Sequence, residues 1–258
     1  MLNTDRYWNF ESLIKQSKAI EGKWVESLAS REIPPYDAQK QKSFFGLLIE
    51  ECLGIAPNTR AEPDISDLGI EIKVSGFKQL SGEGGLNAKE RLVFGLIDYL
   101  DVAKSERLVD LKIWNKIKRQ LIFIYEYKKS MNVRFVHSFL WEPSGQEVAI
   151  LEADYAILRT AVIQGEHLSG KGFSALDNFP KHPGKHYSKY RSAGRQGLVP
   201  PSSEVSQHPV LHDAEKRGLG IKNRFFTKVV AEQIGAPMLK SGSSVWIDRR
   251  DFFRHLPE

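Results

Sequence analysis

The residues best suited to chemistry lie in the run Asp64-Ile65-Ser66-Asp67-Leu68-Gly69-Ile70-Glu71-Ile72-Lys73. Ile70, Ile72 and Val74 alternate with Glu71, Lys73 and Ser75, the period of a half-buried strand. Glu71 and Lys73 then project from one face while the aliphatic residues pack on the other. Pro63 fixes the backbone ahead of Asp64, and Gly69 permits a turn into the strand. An acid delivered by a loop to a strand face that carries an acid and an ammonium can hold a divalent cation and a water over a phosphate. Asp67 competes with Asp64 as the loop acid, because spacing alone does not choose between them.

The rest of the chain has to position this group. Its 258 residues are enough for one large domain or two intimate subdomains. Hydrophobic residues make up 41% and charged residues 27%, with a net charge of +5 and a pI near 9.1. That modest basicity is compatible with a polyanionic partner. Cys52 is the only cysteine, which excludes an intramolecular disulfide and a zinc ribbon. It reads as a buried thiol on a helix. The first sixteen residues, MLNTDRYWNFESLIKQ, lack the apolar core of a signal peptide. No apolar run approaches the roughly 18 residues that a membrane helix needs. A cytoplasmic protein is expected, with no membrane partner.

Asn9 caps an expected helix over 10–20, and 23–29 reads as a second, short one. After Pro34-Pro35, residues 42–53 form a strongly apolar helix closed by Gly54. Glu50 is a carboxylate in the middle of that helix and needs a partner. Beyond the acid-bearing strand come a Gly-rich hairpin region at 81–85 and a strand at 91–99. Strands at 120–127 and 132–141 are joined by the turn residues Lys128-Lys129-Ser130. A helix is expected over 152–164, a long polar connection over 166–212, and a last helix over 223–234. The pattern is mixed α/β. It reads as two lobes, 1–140 and 141–258, with a cleft between them.

Joined to the strand, Glu50 completes a larger pattern. Phe45-Gly46-Leu47-Leu48-Ile49-Glu50-Glu51-Cys52-Leu53-Gly54, then Pro63-Asp64, then Gly69-Ile70-Glu71-Ile72-Lys73 resembles the MutH family of PD-(D/E)XK endonucleases. That family holds the mismatch-repair enzyme and related GATC-cutting type II restriction enzymes. Lys89-Glu90-Arg91-Leu92-Val93 with Asp98-Tyr99 looks like the restriction-enzyme branch. Lys116-Ile117-Lys118-Arg119 resembles the family's basic patch, and Gly218–Thr227, with Lys222 and Phe226, its C-terminal strand–helix junction.

The resemblance implies a restriction-endonuclease-like mixed β-sheet flanked by helices. The catalytic set becomes Glu50, Asp64, Glu71 and Lys73, with Asp64, Glu71 and Glu50 as ligands of Mg²⁺. Lys73 either helps deprotonate the attacking water or stays charged beside the phosphate. Lys42 and Lys116 match family lysines near the scissile phosphate. Lys118 and Lys222 join them as expected DNA contacts. The 1–140 lobe carries the chemistry and 141–258 the recognition. In relatives a loop with a Pro-Lys pair enters the DNA groove. Here Pro180-Lys181-His182, followed by Lys185, occupies that place. Gly220 falls where MutH carries a tyrosine associated with sensing adenine methylation, which puts methylation sensing and GATC specificity in question. His182/His186 and His208/His212 are spaced i, i+4 but interrupted by prolines, so no structural zinc is expected.

The expected activity is Mg²⁺-dependent hydrolysis of double-stranded DNA at a short specific sequence, GATC being the leading site, by a monomer that leaves 5′-phosphates. A cognate DNA methyltransferase would complete the system. The alternative is a mismatch-repair nicking endonuclease under partner control.

Overall fold

The computed structural model describes residues 9–38, 40–56, 62–80, 84–166, 168, 172–180, 206–211 and 214–256. The chain is mixed α/β, as expected, and its contacts divide it into two compact units. One comprises Met1–Glu90, Asn115–Pro143 and Asn223–Glu258, and the other Arg91–Trp114 and Ser144–Lys222. The division is not the single break near residue 140 that the sequence suggests. The cause is long-range pairing, which brings late segments back onto early strands.

The first unit is built on a six-stranded sheet of order β5-β4-β1-β2-β9-β8. Its strands are β1 (Glu71–Gln79), β2 (Gly85–Ala88), β4 (Gln120–Glu126), β5 (Phe135–Trp141), β8 (Met238–Ser241) and β9 (Ser244–Asp248). Only β1 and β4 run parallel; the other pairs are antiparallel. Helices α1 (Phe10–Lys18), α2 (Val25–Leu28) and α3 (Gln41–Leu53) precede the sheet, and α5 (Trp114–Ile117) leads into β4. Ile70, Ile72 and Val74 join Leu121, Phe123, Phe45, Leu48 and Ile49 in one core. The opposite parity, Glu71, Lys73 and Ser75, continues to Phe77. That ring packs on Phe226 and Phe252 of α7 (Asn223–Gln233) and α8 (Arg249–Phe253). His137 on β5 also meets α8: its Nε2 donates to the Phe252 carbonyl at 2.7 Å, and its ring stacks on His255 at 4.3 Å.

β1 is paired unevenly. It matches β4 from Glu71 through Phe77, but β2 only from Phe77 to Gln79. Among the described residues, the half of β1 that carries Glu71 and Lys73 has no strand partner on its β2 side.

The second unit has a three-stranded antiparallel sheet, ordered β3-β7-β6, of β3 (Leu92–Leu96), β7 (Arg217–Ile221) and β6 (Leu176–Pro180). The strand expected over 91–99 ends at Leu96. Asp98 instead caps α4 (Tyr99–Lys104) by accepting from the amides of Leu100 and Asp101. Helix α6 runs Gly145–Gln164, one to two turns longer at its start than the expected 152–164. Ser144 and Glu147 form a reciprocal capping box there. Midway along α6, buried Asp154 accepts from the amides of Ser174, Ala175 and Leu176, fixing the entry to β6.

Candidate active site

The acids converge because the chain folds back on itself just before β1. Ile65 and Ile70 exchange backbone hydrogen bonds across a 3-10 turn at Ser66–Leu68, and Gly69 takes the left-handed conformation (φ 62°) that ends the turn. This bend lays Asp64 against the strand, where its Oδ2 accepts from the Ile72 amide at 2.8 Å. Asp67 is exposed on the turn. Geometry therefore selects Asp64, the choice that spacing left open.

Glu71 is 4% exposed. Its Oε1 accepts from Lys73 Nζ at 2.8 Å, and Lys116 Nζ lies 3.2 Å from Oε2. No aligned hydrogen-bond donor reaches Oε2 among the described residues; the Lys116 contact is ionic. Glu50, half-buried on α3, has its carboxyl held above the usual range by burial and then by the charges of Asp64 and Glu71. Asp64 is pushed up by burial and by Glu71, against the Ile72 amide, Lys73 and Lys116. Three acids thus share one field that the neighbouring lysines do not fully offset.

Such a field is suited to a cation. The donors are all carboxylate oxygens, the class that Mg²⁺ takes, and Glu71 Oε2 is buried with no aligned hydrogen-bond donor among the described residues. Among the described residues no group of three or more His, Cys, Asp or Glu side chains is placed to hold a metal ion. Mg²⁺ suits that as well, since it commonly uses one or two carboxylates and keeps several waters.

Lys42 opens α3 in a crowd of cations. Burial lowers its pKa, as do the charges of Lys73 and Lys89, while Glu90 opposes the shift. Lys89 pairs with Glu90 at 3.0 Å and sits 3.9 Å above the Tyr127 ring. Lys89 and Glu90 were not among the expected site residues, although they immediately follow β2.

Lys118 is exposed and donates to Asn115 Oδ1 at 2.9 Å. Lys222 belongs to the second unit, where its ammonium donates to the Phe173 carbonyl. Pro180 ends β6 opposite Arg217. Lys181, His182 and Lys185 lie outside the described residues. Cys52 is half-buried rather than buried, and burial raises its thiol pKa, the opposite of activation.

Residues 53–154 match the family model described as DNA mismatch repair enzyme MutH, a stretch that includes Asp64, Glu71, Lys73, Lys116 and Lys118. Over that stretch the chain is similar to MutH. It is 24% identical over 236 residues to the type II restriction enzyme Sau3AI of Staphylococcus aureus, covering 89% of this chain and 44% of that one. It is 25% identical over 161 residues to the mismatch repair protein MutH of Pasteurella multocida, covering 60% and 70% respectively. A shorter stretch of 65 residues is 38% identical to MutH of Haemophilus influenzae. The chain spans less than half the length of the restriction enzyme it matches.

Gly220 is held without a side chain for a reason visible in the backbone. A Cβ there would stand 2.2 Å from the Leu92 carbonyl oxygen, in the β3–β7 ladder. No side chain fits at that position without parting the two strands.

Proposed function

We propose that this chain is a Mg²⁺-dependent type II restriction endonuclease that hydrolyses duplex DNA at a short sequence, with GATC as the site to test first. The observation that carries the reading is the meeting of Glu50, Asp64 and Glu71 with Lys73 and Lys116 beside the half of β1 that, among the described residues, has no strand partner on its β2 side. Asp64 and Glu71 would hold the metal, with Glu50 beside them. Bound there, the metal would supply Lewis-acid polarisation of the phosphate and a more acidic water. Lys73, held on Glu71, orients the attacking water or balances its charge as it adds to phosphorus. The P–O3′ bond breaks, the 3′ oxygen takes a proton, and the 5′ end keeps the phosphate. Lys42 and Lys116 add positive charge where the phosphorane becomes more negative.

In this reading the first unit carries the chemistry. The segment from Pro180 through Lys181, His182 and Lys185, together with Lys118 and Lys222, contacts DNA. The enzyme works as a monomer in the cytoplasm, alongside a methyltransferase that protects host sites. The MutH matches favour a second reading, a nicking endonuclease under partner control. Gly220 argues against the form that senses methylation through a tyrosine.

A one-site supercoiled plasmid, incubated with the purified protein and Mg²⁺ and with its ends mapped, tests these readings. Unassisted linear product with 5′-phosphate ends at one sequence, preceded by nicked circles, is expected. Nicks that appear only with an added partner would favour the second reading. No cleavage under either condition would defeat both.

A further inference from the structure

We propose that Gln120 is a positioning residue of this centre, fixing Lys116 so that its ammonium is held at Glu71. Gln120 opens β4 and is the register partner of Glu71 on the parallel neighbour β1. Paired residues of parallel strands share a face, so its side chain emerges beside Glu71. It is fully buried, and its Nε2 donates to the Lys116 carbonyl at 2.7 Å. α5 has only four residues, so its carbonyls depend on groups outside the helix for partners. One residue is therefore adjacent to Glu71 and grips the backbone of the lysine whose Nζ lies 3.2 Å from that same carboxylate. The strands are locked at this level too, since the Glu71 amide donates to the Arg119 carbonyl at 3.1 Å.

Stability alone does not account for an amide here. Its neighbours along the same face of β4, Ile122 and Ile124, are fully buried and apolar. The Gln120 Oε1 has no hydrogen-bond donor among the described residues. A buried acceptor left unsatisfied costs stability; a methionine of similar volume would remove that cost while giving up the bond to the Lys116 carbonyl, so the two effects offset. A polar group that is half satisfied in a core, and whose satisfied half holds a lysine of the carboxylate cluster, is placed for the lysine.

The test is a double-mutant cycle between Gln120→Met and Lys116→Ala, read by single-turnover cleavage of duplex DNA in Mg²⁺. NMR of ¹⁵N-labelled lysine in the metal-free protein supplies a readout independent of activity. Gln120→Met should change the melting temperature little, because it removes one unsatisfied acceptor and one hydrogen bond together, and should leave DNA binding unchanged. It should slow the single-turnover rate about 10-fold or more, the scale of a small misplacement at a reacting centre. In the Lys116→Ala background it should add less than about twofold, because residues acting as a unit are not additive. The Lys116 ammonium signal should shift in Gln120→Met. A purely structural glutamine predicts a lower melting temperature and additive rates with an unmoved Lys116 signal, and that result overturns the proposal. The kinetic arm rests on the nuclease reading. If the wild-type protein cleaves nothing, that reading fails, and the lysine signal alone decides the positioning role.

Discussion

Lys73 Nζ stands 2.8 Å from Glu71 Oε1, although the two residues are next-but-one neighbours on a single strand. Side chains two apart on a strand share a face, so the pair needs no loop to assemble it. Truncating Glu71 leaves the Lys73 charge largely buried without its partner, whereas truncating Lys73 leaves Glu71 with Lys116 at 3.2 Å. Glu71→Ala, Asp64→Ala and Lys73→Ala should each lower cleavage by about 10²-fold or more while specific DNA binding persists. Single-turnover rates and gel-shift affinities measured on the same duplex check this; wild-type rates from either acid variant would remove those residues from the chemistry.

Removing a charge at Asp64 should stabilise the metal-free protein. Its carboxylate is disfavoured by burial and by Glu71, and the neutral side-chain carbonyl that Asp64→Asn leaves in its place can still accept from the Ile72 amide. Asp64→Asn should raise the melting temperature in chelator by about 2–4 °C, the scale of 1 kcal/mol in a chain of this size. Added Mg²⁺ should then stabilise the wild type more than the variant. Thermal melts with and without the metal measure both effects; a destabilised variant would show that the acid is a structural asset.

His137 gives the fold a sensitivity to acid. Burial, and then the stacked His255, lower its pKa from 6.5 to about 4, against the Phe252 carbonyl bond and Glu21. The folded state therefore resists a proton that the unfolded state accepts. Its contribution is intact above pH ~6.5 and is lost as pH falls toward 4, by on the order of 3 kcal/mol at full effect. Urea unfolding across that range should show this loss in the wild type, and a flatter profile in His137→Gln. Equal slopes would assign the acid sensitivity to other groups.

Gly220 should tolerate no side chain. Gly220→Ala should cost about 1–3 kcal/mol, the usual scale of overpacking, and Gly220→Tyr more. Gly220→Tyr should therefore weaken the second unit and confer no methylation sensing. Denaturant midpoints measure the first effect, and cleavage of methylated and unmethylated duplexes the second.

Features written in local spacing were legible in the sequence. The alternation through Ile70, Ile72 and Val74, the Asn9 cap and the Gly54 terminus each depend on residues within one or two turns, and each appears where it was expected. The start of α6 was equally local but missed: Ser144 and Glu147 carry the capping-box signature eight residues before the expected start at 152. What spacing could not give was set by tertiary contact. The choice of Asp64 over Asp67 depends on a 3-10 turn and one backbone amide. Gln120 reads as an ordinary strand residue until its register beside Glu71 is known. The division into units depends on which distant strands pair, and nothing local to residues 85–88 announces β9 as their partner.

That pairing has a consequence for how the molecule is made. Gly85 meets Asp248 across the β2–β9 ladder, and the whole of the second unit lies between them in sequence. A nascent chain that has completed β1 and β2 must wait for the rest to be synthesised before that edge is covered. Loop-closure entropy grows only slowly with length, and it falls if the intervening segments have already collapsed into their own unit. Early folding of 91–114 with 144–222 would thus shorten the effective loop and bring β9 to its partner. Until then the β2 edge presents unpaired backbone groups, the feature through which strands of separate chains find one another. Aggregation during expression should depend more on how fast the inserted unit folds than on the final stability of the sheet.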